Sequence, residues 1–467
     1  MKEYRYTLFT NKIEKNIKKG ILKAGDKLPS IRKTKLEYSL STSSVQAGYD
    51  YLVSKGLVTS IPKSGYIVNE SIQTLQAITQ KKNTLIIDTQ FRENILLTSQ
   101  KQGYSEFTTL NAATPSDLFI PQKLVLQTMQ QVIKDKSATL LRYYPSNGSL
   151  ELKEQIIKRA AQYEISIEPE ELIITDGALQ ALYIALASIT SPNDIIAIES
   201  PCIFSILQVI ASLKLKVIEI PMLLKDGFDI DYLKKVCAKN SIKAIVVTPN
   251  FHNPTGNLLS DHQKKAIYSI AQLHHIPIVE NDIYGDLYFG VKRPSTIRSF
   301  DSEGLVLTYS SFSKTIAPGL RLGWLATGQF LQQAEQVKFA LGRSVSPFNQ
   351  EVITSLLDNP NFDKHLKTFR KQLKHQAYQL TTTLTSSFSK EFKLTSPQGG
   401  YSLWGQLPST MNSTHFFSIC QKEGISFTPG TTFSFTNSYE SYFRATFSQQ
   451  LNTGTLQALN KIGTLIR

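Results

Sequence analysis

The sequence predicts a multidomain chain. A small basic α+β unit spans residues 1–70, a linker 71–105, a large α/β domain 106–335 and a smaller α+β domain 336–467. Three observations carry that prediction. The 467 residues exceed the ordinary size of one domain, and 41% of them are hydrophobic, enough for more than one core. From about residue 106, short apolar runs alternate with helix-length segments, the mark of a mostly parallel sheet buried on both faces. The charge is uneven. Residues 1–70 hold 13 Lys/Arg against 6 Asp/Glu, so half of the net +14 sits in the first seventh of the chain, which points to a polyanionic partner.

The first unit reads as three helices and a hairpin. Phe9, Ile13 and Ile17 recur at helical spacing, and Gly20 stops that helix. Ser30 is the expected N-cap of a second helix, with Ile31 and Leu36 as its apolar positions. The run Ser41-Thr42-Ser43-Ser44 caps a third helix through Lys55, whose buried face is Val45, Tyr49 and Leu52 and whose stop is Gly56. Leu57–Ser60 and Gly65–Val68 read as two strands around Pro62-Lys63-Ser64-Gly65. The linker is rich in Gln, Thr and Lys, with one strand-like stretch at 84–88.

The large domain shows apolar runs at 172–174, 195–198, 217–220, 244–247, 276–279, 305–307 and 324–326. A long helical stretch follows residue 335, and 399–404 and 442–447 read as strands of the smaller domain. The three cysteines (Cys202, Cys237 and Cys420) have no metal-ligand spacing, so no metal is expected, and they suit a reducing cytoplasm. No run approaches the ~20 apolar residues of a membrane span, and residues 1–19 lack the apolar core of a signal peptide. A soluble cytoplasmic protein is expected.

In open α/β sheets, ligands lie at the carboxyl ends of the strands. The chemistry-bearing residues here follow strand-like runs. Lys314 comes just after Leu305-Val306-Leu307, with Ser311 and Ser313 before it and Arg321 after it. A lysine so placed is poised to form a Schiff base, and hydroxyls with an arginine suit a phosphate. Asp282 supplies a carboxylate after 278–281, and Asn253 and Tyr284 supply donors. Gly177-Ala178-Leu179 opens a helix whose N–H groups and dipole favour an anion.

In the order Gly177, Asn253, Asp282, Lys314, Arg321, Arg444, these residues resemble the class I/II aminotransferases of pyridoxal phosphate (PLP) fold type I. The resemblance implies PLP on Lys314. Asp282 would then keep the ring nitrogen protonated and the ring an electron sink, and Asn253 and Tyr284 would serve the phenolic oxygen. Gly177, Ala178, Leu179, Ser311, Ser313 and Arg321 would cradle the phosphate. Segments 111–116 and 118–121 look like the opening of that domain, and Arg142-Tyr143-Tyr144-Pro145-Ser146-Asn147-Gly148 is similar to its tyrosine–glycine motif. Tyr143 would reach the phosphate of a neighbouring subunit in a homodimer. Arg444 matches the arginine that pairs with a substrate α-carboxylate, with Asn253 beside it. Two departures stand out. Ile203 occupies the expected ring-stacking position, so either an aliphatic face replaces stacking or Phe204 takes the role. Ala178 stands where many relatives carry a hydroxyl.

Residues 27–68 resemble the winged helix-turn-helix of the GntR family, through Lys27–Arg32, Leu40–Val45, Leu52–Val58 and Lys63–Val68. The DNA-binding residues this implies are Ser30, Arg32, Ser41, Thr42, Ser43, Ser44, Gln46, Lys63, Ser64 and Gly65. Small hydroxyls at a helix start approach phosphates, Arg32 suits a phosphate or a guanine, and glycine at the wing tip permits close approach. Thr42 replaces an arginine common in relatives. Both halves together resemble the MocR subfamily of GntR regulators. That resemblance implies a PLP-dependent regulator that binds double-stranded operator DNA and senses PLP, an amino acid or an amine. The alternative is an active aminotransferase with an ancillary DNA-binding domain. Ile203 and the basic first unit favour the regulator.

Overall fold

The computed structural model describes residues 6–18, 21–23, 25–54, 57–61, 65–68, 85–91, 108–223, 227–436 and 438–466. The chain divides into two compact units near residue 75.

The N-terminal unit holds helices α1 (Thr7–Lys18), α2 (Ile31–Glu37) and α3 (Thr42–Ser54), then the antiparallel strands β1 (Val58–Ile61) and β2 (Gly65–Val68). Phe9, Ile13, Val45, Tyr49, Leu52, Tyr66 and Val68 form one core. Gly48 lets α1 approach α3: a Cβ there would lie 2.2 Å from the Phe9 ring. Ser30 caps α2, its hydroxyl accepting from Lys33 N at 3.2 Å. The buried residue of α2 is Thr34, whereas Leu36, expected on the apolar face, is 74% exposed. The reason is local. The hydroxyls of Thr34 and Tyr49 lie 3.0 Å apart, which turns Thr34 inward, and a residue two positions on points about 200° away around the helix.

The second unit is built on a sheet that has nine strands among the described residues. They are β3 (Ile87–Asp88), β5 (Leu172–Thr175), β6 (Ile195–Ser200), β7 (Lys216–Leu223), β8 (Gly227–Phe228), β9 (Ile242–Val247), β10 (Ile278–Asn281), β11 (Val306–Ser311) and β12 (Gly323–Ala326). The order is β3-β7-β6-β9-β10-β11-β12-β5, with β8 on β7; β7, β6, β9, β10 and β11 run parallel. Alternate residues of each central strand serve opposite faces. Ile245 and Val247 pack with the helices Ile230–Lys239 and Asp261–His274, while Ala244 and Val246 pack with Ala178–Ile189 and Phe204–Ser212. Both faces are covered, so the runs read as continuously apolar. Strand β12 is antiparallel to β11 and β5. The connection 312–322 is too short for a parallel crossover, and it turns back through Arg321 in the left-handed region (φ 42°). Within the span expected as a linker, β3 pairs with β7, Ile87 packs on the apolar core and Thr89 Oγ1 donates to Leu215 O at 2.6 Å.

The C-terminal part of the same unit carries the helix Pro360–Ser387 and an antiparallel sheet of β13 (Lys393–Leu394), β14 (Ser402–Gln406), β17 (Tyr442–Thr446) and β16 (Thr428–Pro429), in that order. A further strand, β15 (Ile425–Ser426), pairs in parallel with β4 (Thr108–Thr109). Residues 108–109 are thereby tied to the strand that follows the helix Ser413–Lys422. Among the described residues no helix is long and apolar enough to cross a membrane.

Candidate functional site

The carboxyl ends of β5, β9 and β11 bring Gly177, Asn253 and Lys314 to one end of the sheet, and β17 adds Arg444, which donates to Asn253. Asp282, at the end of β10, follows Ile278 and Glu280 in the alternation of the strand and turns to the side of the helix Asp261–His274, where Asn250 and Lys264 both meet Ser295 O. Lys314 ends a short 3-10 turn after β11 and donates from Nζ to Ala113 O at 2.6 Å. Burial first, then the charges of Arg444 and Arg321, brings its ammonium down to about 8. The amine is therefore a ready nucleophile near neutral pH. Tyr401 donates to the Lys314 carbonyl at 2.5 Å and fixes the turn that carries the lysine.

Asp282 is 2% exposed and follows β10 directly. Its Oδ1 accepts from Asn250 Nδ2 at 3.0 Å, and its Oδ2 accepts from Arg293. Tyr284 and Asn253 are both buried, with Asn253 Nδ2 donating to the Tyr284 hydroxyl at 3.1 Å. Burial pushes the Tyr284 phenol up, so it stays a donor.

The anion cradle has a definite shape. Gly177 caps the helix Ala178–Ile189 at φ 89°, with no side chain occupying the N-terminal donors. A Cβ on Gly177 would lie 2.9 Å from Arg321 Nη2, and Arg321 donates to Asp176 O at 3.0 Å. Ser311 Oγ lies 2.9 Å from Ser313 Oγ. Both hydroxyls are buried beside the lysine turn, while Leu179 points outward. Backbone donors, a guanidinium and paired hydroxyls fit a phosphate.

Arg444 is 1% exposed. It donates to Asn253 Oδ1 at 3.0 Å, to Thr428 Oγ1 at 2.9 Å and to Asn111 O, and its guanidinium lies 5.1 Å from the centre of the Phe433 ring. These partners carry no negative charge, and Nε has no partner among the described residues. Burial brings the guanidinium down to about 10, so at neutral pH it holds a charge that its surroundings do not cancel. Such a guanidinium suits a carboxylate partner.

The ring-stacking question divides in the structure. Ile203 packs with the core beside the helix Ala178–Ile189, and Phe204 lies against Phe433 at 6.1 Å between ring centres. Phe433 thus lies between Phe204 and the Arg444 guanidinium, touching both. Tyr143 is 77% exposed, with Arg343 stacked over its ring at 4.8 Å.

On the N-terminal unit, Ser41 accepts from Ser44 N at 3.1 Å and caps α3; its Oγ lies 2.9 Å from the hydroxyls of Ser43 and Ser44. Ser30, Arg32, Ser41, Thr42 and Ser43 are exposed. Gln46 is committed elsewhere: its amide donates to Tyr66 OH at 2.7 Å and to Asp50 Oδ1 at 3.2 Å, tying α3 to the wing. The Tyr66 ring stacks on Tyr49 with centres 4.1 Å apart. Gly65 opens β2 at φ 102°, and Lys63 and Ser64 lie outside the described residues.

Sequence reasoning missed several members. Asn250 carried a usable signal, since it follows β9 as Asn253 does. Arg293 carried none, lying in a loop eleven residues past its partner. Also missed was the buried pair Glu199–His252, whose nearest atoms are 3.2 Å apart; Glu199 accepts from Thr248 N at 2.7 Å and thereby joins the end of β6 to that of β9.

Residues 109–461 match the family described as Aminotransferase class I and II, and residues 9–68 match Bacterial regulatory proteins, gntR family. The chain is 30% identical over 465 residues to the uncharacterized HTH-type transcriptional regulator YjiR of Escherichia coli K12, covering 99% of this chain and 98% of that one. It is 27% identical to the HTH-type transcriptional regulator NorG of Staphylococcus aureus USA300, covering 94% and 99%. Among solved structures it is similar in fold to the kynurenine aminotransferase of Pyrococcus horikoshii (TM-score 0.76, 23% identity, 80% of this chain and 95% of that one). It also resembles the α-aminoadipate aminotransferase LysN of Thermus thermophilus, solved with N-(5'-phosphopyridoxyl)-L-leucine (TM-score 0.73, 23% identity, 79% and 94%).

Proposed function

Because the chain belongs to the class I and II aminotransferase family in its larger part, and joins that part to a gntR-family helix-turn-helix in the MocR arrangement, we propose that it is a PLP-dependent transcription regulator. The observation that carries this reading is one chain holding both an exposed, hydroxyl-lined start of α3 and a nucleophilic Lys314 beside a buried, charge-unanswered Arg444.

Lys314 would hold the cofactor, and Asn253 and Tyr284 would serve its phenolic oxygen. Gly177, Ser311, Ser313 and Arg321 would receive its phosphate. Bound there, PLP supplies an electrophilic carbon and an electron sink. The chain does the rest. Arg444 orients an amino acid by its carboxylate, and the Lys314 amine accepts or returns a proton. An amino acid is thus the effector class that the site suits best. Arg32 and the start of α3 meet operator DNA in the cytoplasm. A homodimer with Tyr143 completing the partner's phosphate site presents two such units to paired half-sites. A ligand regulates this arrangement only through a difference in affinity between DNA-bound and free states.

The test uses the intact chain with PLP. Absorbance near the visible edge and borohydride fixation at Lys314 report the cofactor. Operator binding is then followed with and without amino acids, alongside keto-acid release. Operator affinity that shifts with an amino acid is the expected result. Multiple turnover at ordinary enzyme rates, with no sequence-specific DNA binding, overturns the proposal.

A further inference from the structure

Successive residues of β10 face opposite sides of the sheet. Ile278 packs on the side of the helix Asp261–His274, and Val279 on the side of Ala178–Ile189, the helix that Gly177 opens. Asn281 follows Val279 onto that second face. Its partner in register on β11 is Tyr309, which belongs to the same core. Asn281 is 6% exposed, and its Oδ1 accepts from Ile283 N at 3.1 Å. A backbone N–H only donates, so the atom it meets is the carbonyl oxygen, which fixes the orientation of the amide. The Nδ2 donor meets no acceptor among the described residues. In PLP the ring nitrogen lies opposite the aldehyde carbon, with the phenolic oxygen and the phosphate arm on either side of the aldehyde. Strand β10 runs between β9, which leads to Asn253, and β11, which leads to Lys314. The side chain it turns to the Gly177 face at its carboxyl end is Asn281.

We infer that Asn281 is the residue that meets the cofactor's ring nitrogen, and that its amide donates to the nitrogen's lone pair and holds it unprotonated. The inference rests on the PLP reading above and deepens it. An ionised carboxylate favours a pyridinium by its negative charge, whereas a neutral amide that donates leaves nothing to hold the proton. The carboxylates around this end of the sheet are engaged elsewhere. Asp282, on the opposite face, accepts from Asn250 and Arg293. Glu280 is held by Ile297 N at 2.6 Å and Thr308 Oγ1 at 2.9 Å. Glu199 is held by Thr248 N at 2.7 Å and Thr248 Oγ1 at 2.6 Å, beside His252, and Glu219 by Ser200 Oγ at 2.7 Å and Phe435 N at 2.9 Å. Burial pushes the Tyr309 and Tyr284 phenols and the Cys202 thiol up, so these groups stay neutral. The remaining charges, on Lys314, Arg321 and Arg444, are positive and oppose a pyridinium. An unprotonated ring is a weaker electron sink, which suits a site that recognises amino acids more than it converts them.

The experiment loads the full chain with PLP carrying nitrogen-15 in the ring and reads the nitrogen chemical shift against pH. At pH 7.5 the wild type is expected at the position of a neutral pyridine. Asn281→Asp is expected to move the signal to the pyridinium position, the nitrogen holding its proton about a hundredfold more tightly. Asp282→Asn, on the opposite face, is expected to leave the signal near the wild type. A wild-type pyridinium at pH 7.5, an Asn281→Asp signal that does not move, or a larger response to Asp282→Asn than to Asn281→Asp overturns the inference. If Asn281→Asp does not fold, the wild-type signal decides: a neutral nitrogen supports the inference and a pyridinium overturns it. Borohydride fixation separates the two levels of argument. A wild-type chain with no cofactor fixed at Lys314 overturns the PLP reading and this inference together. A fixed cofactor whose ring nitrogen is indifferent to Asn281→Asp overturns this inference alone.

Discussion

Lys314 must shed a proton before its nitrogen attacks an aldehyde, and its environment sets when. Burial, Arg444 and Arg321 all disfavour the ammonium and bring it to about 8 from 10.5. At pH 7.5 about a quarter of the chains then carry the free amine, against about one in a thousand for an ordinary lysine. Capture of PLP by the ligand-free chain is therefore expected to run about two hundredfold faster than on an unperturbed lysine at that pH. Stopped-flow absorbance across pH 6 to 10 reads the titration directly. The rate should climb about tenfold per unit well below 8 and level off above about 9. Arg444→Gln removes one of the two charges, so its bend should move to higher pH. Burial, the larger cause, remains, and the ordinary value is not recovered. A wild-type rate that climbs without a bend to pH 10 refutes the reasoning.

Three further outcomes follow from the geometry. Gly177→Ala forces a side chain at φ 89° and within 2.9 Å of Arg321, at a cost of about 1–3 kcal/mol; an absorbance titration should find PLP weakened more than phosphate-free pyridoxal. Arg32→Ala should weaken operator binding and, for a phosphate contact, lower the salt slope by about 1, read by fluorescence anisotropy from 50 to 200 mM salt. Glu219 accepts from Ser200 Oγ at 2.7 Å, Ser434 Oγ at 2.8 Å and Phe435 N at 2.9 Å, so Glu219→Gln should cost about 2 kcal/mol in urea unfolding of the intact chain.

Much of this was legible in the sequence, for physical reasons that differ from residue to residue. The parallel strands betrayed themselves because burial on both faces leaves continuous apolar runs. Val45, Tyr49 and Leu52 fell on one helical face at the expected spacing and are fully buried. Lys314 and Asn253 follow strands, where an open sheet puts its ligands, whereas Asp282 follows one and turns to its other face. What the sequence hid is set by tertiary geometry. The reversed direction of β12 depends on a turn too short for a crossover. Leu36 lost its place to Thr34 because a hydroxyl found Tyr49. Arg293 meets Asp282 only through a loop, and the vacancy that admits it is a missing atom on Gly285. Gln46 sits on the helix expected to meet DNA, yet it is bound to a tyrosine twenty residues away.

The segment 110–114 holds the site through its carbonyl oxygens. Lys314 donates to Ala113 O, Arg444 to Asn111 O, Thr446 Oγ1 and Ser448 Oγ to Ala112 O, and Thr446 N to Leu110 O. Every amino acid brings the same carbonyl, so side-chain replacement at 112 and 113 leaves these bonds in place. The contact is indifferent to mutation at the positions that make it and sensitive only to the path of the main chain. Insertions and deletions within residues 108–116, rather than substitutions, are therefore the genetic changes that would displace these contacts.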